Sequence, residues 1–146
     1  MMVPSLMLML ALAQGNPPEN LQAIAAEPNL VKRARLALQR GDRDTNQAGQ
    51  ACKDGDYDSC NAELNHVRED VELADRSLKE TGIDPARSPR HFKEAELHIR
   101  KILRSIEAVR AYLRPEDLDH FDTIYQRISE IDDRLVAAIL SRKKKK

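Results

Sequence analysis

The sequence predicts an all-α fold: two long antiparallel helical hairpins that close as a four-helix bundle or stack as a short solenoid. Three observations lead there. The 146 residues include only five aromatics and five glycines, and Ala, Leu, Glu, Asp, Lys and Arg dominate. That composition excludes a large β core and most enzymes built on a glycine-rich phosphate loop. Four segments carry apolar residues at alternating steps of three and four, the spacing of a packed helix face. Finally, net charge alternates along the chain: +3 over residues 27–53, −6 over 54–80, +5 over 87–114 and −6 over 115–133. Opposite signs on successive segments favour neighbours in sequence as neighbours in space, as in an up-down antiparallel arrangement. Each exposed pair contributes under ~1 kcal/mol, so the charges guide pairing more than they stabilise it.

Residues 1–13, MMVPSLMLMLALA, are uncharged and end in Ala11-Leu12-Ala13 before Gln14. The apolar run is shorter than the roughly 20 residues a bilayer span needs, and it reads as a secretory signal peptide. The chain is therefore expected outside the cytoplasm, periplasmic or secreted. Residues 14–27, with Pro17 and Pro18, read as a flexible leader with at most a short turn at Leu21–Ala26.

The helical domain is expected over residues 28–141, with Pro28 or Asn29 as its start signal. The inward line of its first segment is Val31, Ala34, Leu38, Gly41, Thr45, Ala48 and Cys52. Small residues there permit close helix approach, while Gly41, Asp42, Asp44 and Gly49 are weak helix formers and suggest a break near Gly41. The second segment, Asp56–Thr81, places Tyr57, Cys60, Leu64, Val67, Val71, Ala74 and Leu78 inward and stops at Gly82. Ser88-Pro89 opens the third as an N-cap followed by Pro at the first helical position. Its core line runs Phe92, Ala95, Ile99, Ile102, Ile106, Val109 and Leu113. The fourth starts at Pro115 and buries Phe121, Ile124, Ile128, Ile131, Leu135 and Ala138. Residues 142–146, Arg142, Lys143, Lys144, Lys145 and Lys146, form a basic tail.

Cys52 and Cys60 are the only cysteines, and they flank Asp54-Gly55-Asp56, the most turn-like point in mid-chain. Export would let them pair across a tight helical hairpin; the alternative is two small core residues. The spacing excludes a redox Cys-x-x-Cys motif and a zinc site.

Around that turn, Ala48–Ala74 resembles the hairpin of a tetratricopeptide repeat. Ala48 stands as the small first-helix residue, Gly55-Asp56-Tyr57 as the turn and Cys60 in place of the second-helix alanine. The resemblance covers about a fifth of the chain, lacks a second copy, and implies a helical hairpin rather than a peptide-binding solenoid. Thr81–Glu96, TGIDPARSPRHFKEAE, looks like a segment of small exported helical proteins of bacteria without assigned activity. That likeness implies export and an all-α fold, and no catalytic residues.

Several constellations bear on chemistry. His91, Glu94 and His98 share one face of the third segment and offer a set for Zn²⁺ or Cu²⁺ with an open position; the alternative is an exposed polar stripe. Glu63-x-x-His66 matches the Glu-x-x-His pair of di-metal bundles, and Asp117-x-x-His120 is a near copy. A di-metal centre is not expected, because the inward line leaves His66 outside and the first segment shows no inward carboxylate. Asp54, Asp56 and Asp58 open like a calcium loop, but Ser59 and Asn65 stand where Gly and Glu belong, so a helix cap is expected instead. The Arg142–Lys146 tail would bind an anionic surface weakly, and it carries no interleaved aromatic for specific nucleic-acid recognition. The expected function is that of an exported, non-enzymatic helical protein acting by protein contact or as a structural module, with no cofactor. Metal binding or anionic-surface tethering are the alternatives.

Overall fold

The structure, a computed structural model, describes residues 20–141; the expected signal peptide and the basic tail lie outside this range, as do leader residues 14–19. Among the described residues every regular element is helical: α1 (Leu21–Ala25), α2 (Leu30–Lys53), α3 (Tyr57–Glu80), α4 (Arg90–Arg110) and α5 (Leu118–Leu140). A single 3-10 turn, Pro115–Asp117, leads into α5. None of the described helices is long and apolar enough to cross a membrane.

Local chemistry sets the helix ends. Asn29 caps α2, its side chain accepting from the Lys32 N–H, and Asp56 caps α3 by accepting from the Ser59 N–H. Between them, Gly55 adopts a positive φ of 78°. Its N–H donates to the Cys52 carbonyl and that of Asp56 donates to the Ala51 carbonyl. Those two bonds close α2 in a Schellman motif, and α3 starts within two residues. Gly82, also at positive φ, follows α3. Pro89, rather than Ser88, occupies the N-cap of α4 and supplies no side-chain bond.

The turn brings Cys52 and Cys60 together as a disulfide with Cα atoms 5.2 Å apart. Closing so short a loop restricts the unfolded chain by about 2.5 kcal/mol on the loop-entropy model. Cys52→Ala/Cys60→Ala should therefore keep its helical circular dichroism but melt about 10 °C lower. An unchanged melting temperature would mean that the turn alone closes the hairpin.

The first helix expected is one continuous element of 24 residues, without a break at Gly41. A Cβ on Gly41 would stand 3.1 Å from Ile102 Cδ1 and 3.7 Å from Asp70 Cβ. Glycine is thus retained where three helices converge, and packing offsets its roughly 1 kcal/mol helix penalty. The short turn expected at Leu21–Ala26 is the five-residue helix α1. Asn20 caps α1, and Ile24 is buried in the common core with Leu21 partly buried beside it, so two aliphatic side chains one turn apart hold the short helix on the bundle.

The hairpins α2–α3 and α4–α5 form as the charge pattern suggests. Their mutual arrangement does not follow it. Gly41 meets Ile102 and Gly49 meets Val109, so α2 lies beside α4 and parallel to it. Asn61 bonds Asp117, Glu72 pairs with Arg127 and Asp75 with Arg134, so α3 lies beside α5, again parallel. The sequential neighbours α3 and α4 meet only slightly. Helices of like net charge therefore stand side by side. The few residues of opposite sign make this tolerable: Arg127, the one base within residues 115–133, faces acidic α3, and Asp42 of basic α2 takes His98 of α4 at 2.7 Å.

Candidate functional site

The core is closed around Leu64, Val67, Ile99, Ile106, Phe121 and Ile128, and polar chemistry sits on the helix seams. The most buried polar group lies between α2 and α3. Asp44, one turn after Arg40, points into the seam rather than to solvent, and both Asp44 and Asp70 are almost wholly buried. Arg40 Nη1 donates to Asp70 Oδ1 at 3.1 Å, and its Nε lies 3.7 Å from Asp44 Oδ2. One guanidinium thus serves two carboxyl groups. Burial, together with a hydrogen bond and repulsion from Asp44, pushes Asp70 up to about 9, so near neutrality it carries the proton that the pair shares.

Glu63 and His66 flank this pair on α3, one turn apart, with His66 Nδ1 and Glu63 Oε2 at 3.3 Å. Their ligating atoms and one from Asp44 all lie within 4.8 Å of one another, the only such set of three His, Cys, Asp or Glu among the described residues. Two expectations change here. The first segment does present an inward carboxylate, Asp44, because Arg40 and Asp70 compensate it; and His66, at the edge of the seam, is half-buried rather than outside. Spacing alone showed Asp44 on no apolar line. The one legible signal was Arg40 four residues earlier, an ion-pair step.

His91, Glu94 and His98 line a groove between α4 and α2 together with Arg35, Val31, Ala34 and Leu38. They share a surface, but His98 Nε2 is engaged by Asp42 and the three do not converge as ligands. The other near-motif also separates: Asp117 is buried and bonded to Arg114 and Asn61, while His120 is exposed. The Arg114 guanidinium, which also covers the Tyr57 ring at 4.3 Å, holds Asp117 below the usual carboxylate range. Asp54 accepts from Gln50 and Asp56 caps α3, as the cap reading expects.

The second hairpin has its own carboxyl pair. Asp132 on α5 faces Glu96 on α4, with Arg100 bonded to Glu96, and burial beside that like charge raises Asp132 to about 6. On the same edge, Leu97, Val136, Ile139 and Leu140 form an apolar patch rimmed by Lys93 and Arg100. Leu97 is 58% and Leu140 71% exposed. No family model, curated protein or solved structure matches this chain.

Proposed function

We propose that this is an exported, non-enzymatic helical protein that works by contact with another protein, through the α4–α5 edge. The observation that carries the reading is the patch in which exposed Leu97 and Leu140, the two most exposed large aliphatic side chains among the described residues, meet half-buried Val136 and Ile139. Exposed aliphatic clusters rimmed by charge are how partner surfaces differ from the rest of a monomer. Lys93 and Arg100 on the rim suit a partner with acidic residues around an apolar anchor. The Cys52–Cys60 bridge supports an oxidising compartment, where disulfides persist.

A photo-crosslinking residue placed at Leu97 or Leu140 in the exporting cell should give a discrete adduct, and one at exposed Arg76 on α3 should not. Equal labelling from both sides would remove the assignment. The anionic-surface reading keeps one specific support: Arg142–Lys146 follow Leu140 after a single residue, Ser141. On that reading the full chain should bind phosphatidylglycerol vesicles at low salt and lose them without residues 142–146. Binding that survives the truncation would set it aside.

A further inference from the structure

We propose that the groove between α2 and α4 binds a medium-chain monocarboxylate, its charged head on Arg35 and His91 and its tail on the aliphatic floor. The site is separate from the α4–α5 patch, so neither reading depends on the other.

The groove follows from what the sequence places on its walls. Val31, Ala34 and Leu38 stand a turn apart on one face of α2, with Ala95 of α4 and Leu78 of α3 completing the floor. Two alanines leave room where longer side chains would meet, and the space amounts to about 250 Å³. At roughly 30 Å³ for each water-sized group, it takes about seven or eight carbon atoms. From Val31 to Leu38 the helix axis advances about 10 Å, close to the extended length of such a chain.

The rim favours negative charge. Arg35 is exposed and has no hydrogen bond or ion pair among the described residues, whereas Arg33 and Arg40 on the same helix are paired with Glu80 and Asp70. His91 is half-buried, and its Nδ1 is shut off from solvent without a partner. No acceptor meets that nitrogen, so the proton of the neutral ring belongs on Nε2, a donor that is also unused among the described residues. His91 stands in the first turn of α4, where Pro89 supplies no side-chain cap and no acidic residue offsets the positive end of this 21-residue helix. The nearby carboxylates are already engaged: Glu94, the one carboxylate lining the groove, by Arg90 at 3.6 Å, and Asp42 by His98 Nε2 at 2.7 Å.

This combination selects the class of ligand. A guanidinium offers two parallel N–H donors to the two oxygens of a carboxylate, and His91 adds a third donor. The buried floor of Ala34, Leu38, Leu78 and Ala95 rewards an unbranched apolar tail and offers it no polar partner.

The test is calorimetric titration of the full chain with octanoate, for which one site per chain is expected. Octanol, which lacks the charge, and butanoate, which lacks most of the tail, should each bind at least about tenfold more weakly. Arg35→Gln should weaken octanoate about tenfold or more, and its exposed, unpartnered position leaves the fold intact. Arg76→Gln, at an exposed arginine of α3, should change nothing. In the unaltered protein octanoate should shift the ring protons of His91 and His98 and leave those of His66 and His120 in place. Absence of saturable binding, octanol binding as tightly as octanoate, binding indifferent to Arg35, or ring shifts at His66 or His120 in place of His91 would each overturn the site.

Discussion

Val67→Asp should bring the protein to the edge of unfolding, with a loss of about 4 kcal/mol or more in urea titrations. Val67 has no exposed surface and sits between Leu64 and Val71 on the buried face of α3. The substitution removes about 1.5 kcal/mol or more of aliphatic burial and puts a carboxylate where no donor waits. That carboxylate must either stay charged without water or take up a proton, and both are costly. Single domains hold only about 5–15 kcal/mol in total, so most of the margin disappears. Ile99→Asp and Ile128→Asp, at equally buried positions of α4 and α5, should behave alike. Glu130→Gln, exposed on α5, should change stability by less than ~0.5 kcal/mol. Core and control variants of equal stability would mean that the core has been assigned to the wrong faces.

Stability should rise as pH falls from 8 to 5, opposite to the behaviour of a protein held by ionised carboxylates. Asp70 stands near 9 in the fold against 3.8 for an ordinary aspartate. Between those values the folded chain holds a proton that the unfolded chain has released. Stabilisation from this group is complete below about pH 4 and is lost as pH climbs through 9, at no more than ~1.4 kcal/mol per pH unit. Asp132, raised to about 6, adds a component of the same sign confined to pH 4–6. Asp117, lowered by Arg114, acts oppositely: its stabilisation is present above the ordinary aspartate range and is lost below it. Thermal melts from pH 5 to 9 should thus show a falling midpoint that Asp70→Asn flattens above pH 6.5, since the amide is neutral throughout. A midpoint that climbs toward pH 8 in the unaltered chain would contradict the shared proton of Asp44 and Asp70.

Much of this fold was legible because its signals are local. Asn29 and Asp56 announced the starts of α2 and α3, and Gly55 and Gly82 their ends. The lines through Leu64–Leu78, Phe92–Val109 and Phe121–Leu135 named the core almost residue by residue. The disulfide followed from two thiols around one turn. The candidate site was legible only in part. Glu63-x-x-His66 stood out as a motif, but its third member belongs to another helix and is a buried aspartate on no apolar line. Its burial depends on Arg40, one turn earlier on the same helix, and on Asp70 across the seam, and hydrophobic periodicity carries no information about such compensation.

By itself, then, the sequence determined that four long segments are helices, roughly where they begin and end and which face each one buries, and it brought the two cysteines to one turn where they could pair. Spacing, caps and turn chemistry act within a few residues of chain. Only the tertiary structure decided that α2 lies beside α4 and α3 beside α5, that Gly41 passes unbroken through a helix, and that Asp44, Asp70 and Asp117 are interior groups. Surface charge, at under ~1 kcal/mol per pair, yields to the close fit of Gly41 on Ile102 and Gly49 on Val109. A buried carboxyl persists where specific partners meet it in space, and some of these come from another part of the chain, Arg40 for Asp70 and Asn61 for Asp117.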